Sequence, residues 1–251
     1  MPKIVVQSAA ADKQARDRPV ENVSTTRSRD VPLHKSGLIG HLGNRTRPFR
    51  NSLRRGAMQL SIIPYPHPTL RFRSKPIRRV DQQLREIAAE MLELMYQAEG
   101  VGLAANQVDL PRRLFVANPA GERGEGEELI LINPELQLPR GSETGQEGCL
   151  SLPGLYGQVK RPKQVRLSAF DLKGNPIERT VDGFLARVLQ HEYDHLDGVL
   201  FFDRMSDEAK RDLDDQLDEL ETDFRSKQSA GSIPPDAELV SRLDAWQQKY
   251  A

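Results

Sequence analysis

Apolar positions along the middle and end of this chain recur with two different periods, and the switches between them mark its elements. Leu84, Ile87, Ala88, Met91, Leu94 and Met95 follow the three-and-four spacing of an amphipathic helix. Asp81 stands at its N-cap and Gly100 where a C-terminal cap belongs. Ahead of it, residues 58–63 read as a short strand-like run closed by the Pro-rich turn 64–68. Residues 113–117 and 129–132 have the composition of strands and are joined by a Gly/Glu-rich loop over 121–128. Residues 136–138 alternate as a very short strand, which Pro139 ends or confines to a sheet edge. Residues 165–170 alternate again, and Asp171 to Asn175 form a hairpin turn into 177–181.

The period returns to helical over 182–196, where Phe184, Leu185, Val188 and Leu189 make an apolar stripe that Gly198 brings to a stop. Ser206 caps a last long helix with the stripe Ala209, Leu213, Leu217, Leu220 and Phe224, and its charged face is a solvated surface. Residues 226–236 read as linker, with Leu239, Leu243 and Trp246 forming a short amphipathic tail helix. Residues 1–57 sustain neither period and are poor in aromatics, so they cannot bury enough apolar surface to offset the entropy of ordering. The expected organisation is a disordered basic extension over 1–57, a folded domain over 58–225, and linker plus tail over 226–251.

The chemistry is concentrated in Gln190-His191-Glu192-Tyr193-Asp194-His195. Four residues apart on a helix, His191 and His195 stack on one face and can share a divalent cation, with Glu192 placed to serve a bound water as base. A chance pairing on a helix surface has the same spacing, so a third donor has to decide. The extension that supplies a third His six residues later is closed, because that position is Phe201. Upstream, the segment around Cys149 is too polar for an ordinary core strand. Gly100 and Gly102 permit a close backbone approach, to a ligand or simply in a tight helix-to-strand turn.

Three stretches taken together resemble the peptide deformylases: Gly100-Val101-Gly102-Leu103-Ala104-Ala105-Asn106-Gln107, Glu147-Gly148-Cys149-Leu150-Ser151, and Gln190 to Leu196 with Gly198. The resemblance covers about residues 58–225. It implies an α+β fold in which antiparallel β-sheets pack around a central metal-binding helix, followed by a C-terminal helix. It also implies Cys149, His191 and His195 as metal ligands, with a fourth position left for water. The expected metal is Fe(II), with Zn, Ni or Co able to take its place, since a thiolate and two imidazoles suit several ions. Glu192 would be the catalytic base and acid, and the Gln107 amide and Leu150 N–H would stabilise the oxyanion. The implied reaction removes formyl from N-terminal formyl-methionine of new polypeptides. Val101, Gly102 and Gly148 would offer backbone to an extended peptide, with Val101, Phe184 and Val188 around the methionine side chain. Similar proteins often carry a basic residue near the substrate where this chain has Arg161.

Two other readings use the same residues. A metallopeptidase would need Asp207 or Glu208 as third ligand and would leave Cys149 unexplained. A closed structural site in a ribosome-associated module would need a fourth protein donor and gives Glu192 no task.

Composition narrows the setting. Lys plus Arg equals Asp plus Glu over the 251 residues, yet residues 1–57 hold twelve basic against four acidic side chains. That asymmetry allows a basic tail for an anionic partner such as ribosomal RNA, an organellar targeting peptide despite Asp12, Asp17, Glu21 and Asp30, or a start upstream of the true one at Met58. One cysteine suits a reducing compartment and excludes an internal disulfide framework. No apolar run approaches the ~18–20 residues of a membrane span. The expectation is a soluble, cytoplasmic protein that works near the ribosome on nascent peptides, with no DNA or membrane partner.

Overall fold

The structure, a computed structural model, describes Val6, Gln7 and residues 60–250. The chain divides into one unit made of residues 1–8 and 60–251 and another made of residues 9–59, and every described residue belongs to the first. The expected disorder over 1–57 lies outside the described residues, except that Val6–Gln7 form a two-residue strand, β1.

The α+β expectation holds. Helix α1 (Gln82–Gln97) is followed by strands β2 (Gly102–Ala104), β3 (Leu114–Ala117) and β4 (Leu129–Arg140). Then come β5 (Glu143–Cys149), β6 (Leu152–Arg161), β7 (Gln164–Phe170) and β8 (Pro176–Asp182). Helices α2 (Gly183–Leu196), α3 (Asp207–Arg211), α4 (Asp214–Ser229) and α5 (Asp236–Tyr250) complete the chain. A five-stranded sheet runs β2-β3-β4-β7-β8 and a three-stranded sheet runs β1-β5-β6, with every neighbouring pair antiparallel.

Helix α2 lies between the two sheets. Its Ala186, Val188, Leu189 and Leu196 pack with Phe115, Leu131, Val165 and Leu167 of the five-stranded sheet. Burying four such side chains fixes the rotation of the helix, and so fixes which way its polar residues face. Helix α1 covers another part of that sheet, setting Leu84, Ile87, Met91 and Met95 against Leu103, Leu114 and Val116. Cys149 belongs to a third cluster with Leu152, Val159, Phe201, Phe202 and Leu217.

Several local expectations are corrected. Of the strand-like run expected over 58–63, residues 58–59 lie outside the described residues and 60–63 join no sheet; Ile63 N–H donates to Gln107 O at 2.8 Å instead. Residues 136–138 are not a separate short strand but the far half of β4, which continues through Pro134 and Pro139. Both prolines fall within its two register shifts, where bulges excuse their missing N–H groups from the ladder. The polar segment before Cys149 is a strand after all, paired with β6 from Glu143↔Arg161 to Gly148↔Tyr156. Its polarity misled because its charges are paired inside the protein. The left-handed residue closing α1 is Glu99, φ 56°, rather than Gly100. The helix expected after Ser206 is broken into α3 and α4 around Leu213, and α4 takes in residues 226–229 of the expected linker.

Candidate metal centre

Three elements converge on one point. α2 brings His191, Glu192 and His195, the end of β5 brings Cys149, and the 3-10 turn Ala105–Val108 brings Gln107. The first His sits where α2 passes the β5–β6 hairpin, and the second sits one turn later.

One donor atom from each of Cys149, His191 and His195 lies within 4.8 Å of the others, and all three residues are buried. Cys149 Sγ is 3.3 Å from His195 Nε2. Bonds of about 2.0–2.3 Å at a tetrahedral ion give donor–donor edges of roughly 3.5 Å, so this cluster has the size of a coordination sphere. The atoms left over point the same way. His191 Nε2 and both carboxylate oxygens of Glu192 are buried without a hydrogen-bond partner among the described residues. Native proteins rarely bury such atoms unpaired, so a cation with a water beside it accounts for them.

Electrostatics agree with this donor set. Burial pushes the Cys149 thiol up to about 12, the charge of Glu192 adding to it while the backbone N–H groups of Ser151 and Leu152 oppose it. A thiol so biased stays protonated by itself, and a divalent cation reverses the balance. Burial, then the neighbouring His191 and Arg161, lower His195 well below the ordinary imidazole range, which keeps it neutral and able to ligate. Burial and the charge of Glu147 raise Glu192 well above the usual carboxylate range. A carboxyl raised in this way holds a proton more readily than an exposed one, as a group that takes and returns a proton must.

Gln107 is aimed rather than free. Its Oε1 accepts the Ala104 N–H at 2.8 Å, which turns Nε2 toward Cys149 Sγ at 3.4 Å and Ser151 Oγ at 3.5 Å. Gly102 is needed for space, because a Cβ there would overlap the Glu192 carboxylate. Leu150 sits in the turn joining β5 to β6. Gly102 lies on β2, an edge strand of its sheet, and Gly148 on β5. Val101 and Val188 are buried in the cluster around α2, with the partly buried Phe184 packed against it.

Arg161, where a basic residue near the substrate is expected, is an internal side chain. It is buried, gripping Glu147 through Nε at 2.6 Å and Nη2 at 2.8 Å and reaching Asp194 at 2.8 Å. Asp194, for which the sequence suggests no task, also accepts Arg204 Nη2 at 2.6 Å. Glu147 in turn meets His191 Nδ1 at 3.0 Å, so that ring donates from Nδ1 and keeps its Nε2 lone pair for the cluster. Burial alone would raise Glu147, but the hydrogen bonds from Arg161 and His191 outweigh it and hold the carboxyl at about 2. Sequence reasoning missed this network. Its one visible signal is Arg187, a charged residue four positions before a ligand His on a helix with apolar neighbours.

The model of the polypeptide deformylase family matches residues 59–211, which contain every residue of the cluster. The chain belongs to this family. A peptide deformylase of Rhodopirellula baltica is 60% identical over 193 residues, spanning 77% of this chain and 96% of the relative. The chloroplastic peptide deformylase 1B of Oryza sativa is 42% identical over 179 residues, 71% of this chain and 66% of its own. Among solved structures, a plant peptide deformylase superposes with a TM-score of 0.67 at 42% identity, covering 68% of this chain and 93% of that one. The deformylase from Legionella pneumophila gives 0.61 at 37% identity, covering 68% and 98%. As a deformylase this chain is a hydrolase, and α5 lies beyond the residues that the family model matches.

Proposed function

We propose that this chain hydrolyses the formyl group from the N-terminal formyl-methionine of newly made polypeptides, at a centre held by Cys149, His191 and His195. The observation that carries the assignment is the convergence of those three donors beside a buried carboxylate, Glu192, that has no partner of its own. Fe(II) is the ion we assign, with Zn, Ni or Co as substitutes, because one thiolate and two imidazoles accommodate all of them. Such an ion, when bound, lowers the pKa of a coordinated water and polarises a carbonyl.

The chain's own residues supply the rest. Water oxygen joins the formyl carbon as Glu192 accepts its proton. Glu192 then passes a proton to the amine nitrogen as the C–N bond breaks and formate leaves. The Gln107 side-chain amide and the Leu150 N–H donate to the oxygen that gains charge, a contribution typically worth ~10²–10³ in rate per donor. Gly102 on edge strand β2 and Gly148 on β5 offer backbone to an extended peptide, which gives affinity independent of its side chains. Val101, together with Phe184 and Val188 of α2, encloses the methionine side chain.

We place the catalytic domain at residues 58–225 and the reaction in the cytoplasm, close to the ribosome where formylated ends emerge. An organellar setting is the alternative, since the rice and tomato relatives are chloroplastic. The deciding experiment supplies formylated and unformylated Met-peptides separately. Stoichiometric formate with an intact backbone is the expected result, and internal cleavage of either peptide would transfer the centre to a metallopeptidase. Stripping the metal should abolish turnover, and adding back Fe(II) without oxygen should restore it.

A further inference from the structure

We propose that Arg187 is a positioning residue that holds the Cys149 hairpin in register with the two histidines of α2. The inference rests on the metal-centre reading above. Two of the three donors stand on α2 and the third at the end of β5, so the distance between helix and hairpin sets the size of the coordination sphere.

Arg187 ties the helix to the backbone of both hairpin strands. It stands one turn before His191 and is buried. Its Nη1 donates to Glu147 Oε1 and to Val159 O of β6, each at 2.9 Å. Its Nη2 donates to Glu143 O of β5 at 2.9 Å. One guanidinium thus joins the metal helix to both strands of the hairpin, and to the carboxylate whose other oxygen holds His191. A planar fork of donors can do this, whereas a point charge on a flexible stem cannot satisfy all three directions.

Arg161, on β6, makes a second tie of a different kind. It grips both oxygens of Glu147 and reaches Asp194 on α2, so it joins helix to hairpin through side-chain carboxylates. Arg187 alone of the two reaches the hairpin's backbone carbonyls. The hairpin is shaped to receive it. A Cβ at Gly145 would lie 3.0 Å from Arg187 Cζ, so the bare backbone of β5 lies flat against the guanidinium. Gly145 and Arg187 therefore make one contact, and disturbing either should move Cys149 relative to the histidines.

The test measures how fast a chelator removes the metal from the loaded full chain, together with thermal midpoints of the loaded and stripped proteins. Arg187→Met should release metal ~10-fold faster or more, within the range usual for lost partners of metal ligands. It should also narrow the gap between loaded and stripped midpoints, and Arg187→Lys should recover part of both effects. Gly145→Ala should speed release in the Arg187 background and add nothing once Arg187 is Met. If the Met variant does not fold, the Lys and Gly145→Ala variants carry the test. Release at the parent rate, or a Gly145→Ala effect that persists after Arg187 is gone, overturns the inference. A parent protein that binds no metal overturns the metal-centre reading instead.

Discussion

Glu192 sits at full burial with neither carboxylate oxygen engaged, and that isolation decides what its removal does. Replacing it with Ala removes a proton carrier but no ligand. Glu192→Ala should retain about one metal ion per chain by elemental analysis while turnover falls on the order of 10²–10⁴-fold. Gly102 tests the same carboxylate from the other side. An added methyl would overlap it, so Gly102→Ala should displace the proton carrier without touching a ligand. Steady-state kinetics should show kcat down by ~10² with metal content unchanged, since a misplacement near 1 Å can cost that much. At this scale helical spacing singled out His191, Glu192 and His195 as candidates, while Cys149 was legible only through the family resemblance. The sequence was silent on Glu147 and Asp194, whose tasks depend on arginines that only folding brings beside them.

At the scale of elements, the β5–β6 hairpin shows why a polar sequence can still be a buried strand. Glu147 is at full burial yet held ionised by the guanidinium of Arg161 and the ring of His191. Its folded value of about 2 lies below the ordinary 4.5. Its stabilising contribution is therefore complete above about pH 4.5 and fades as pH falls toward 2, on the order of 3 kcal/mol in all. Urea midpoints of the metal-free protein should show Glu147→Gln less stable than the parent at pH 7, the difference shrinking as pH drops through that window. The end of α2 is equally constrained. Gly198 holds φ +74°, and a Cβ there would collide with the backbone of Arg71. Gly198→Ala should cost at least ~1–3 kcal/mol by denaturant unfolding. The periodic elements α1, β7, β8 and α2 were readable from their spacing. β4 was readable only as two separate pieces, because bulges interrupt it, and β5 was not read, because internal ion pairs hide the alternation that spacing rules look for.

For the whole unit, the tail extends what the matched family region supplies. Leu239 and Leu243 of α5 are buried, and Arg225 pairs with Asp236 at 2.7 Å across the turn between α4 and α5. α5 packs on the 3-10 turn Pro68–Arg71 and contributes no residue to the metal cluster. A chain ending at Ala230 forgoes the burial of these two leucines, roughly 1.5–3 kcal/mol each, with metal content and kcat at low temperature preserved. Urea unfolding and activity at two temperatures check both halves of that expectation. What the sequence settled by itself was local and chemical: which residues can donate to a metal, which helix carries two of them, and where the chain changes period. Spacing and side-chain chemistry travel with the polypeptide and need no partner. The tertiary structure decided which charges could be buried, how Gln107 is turned, and how Arg187 joins helix to hairpin. Those depend on atoms from strands far apart in sequence meeting within hydrogen-bond distance, and only the packed sheets bring them there.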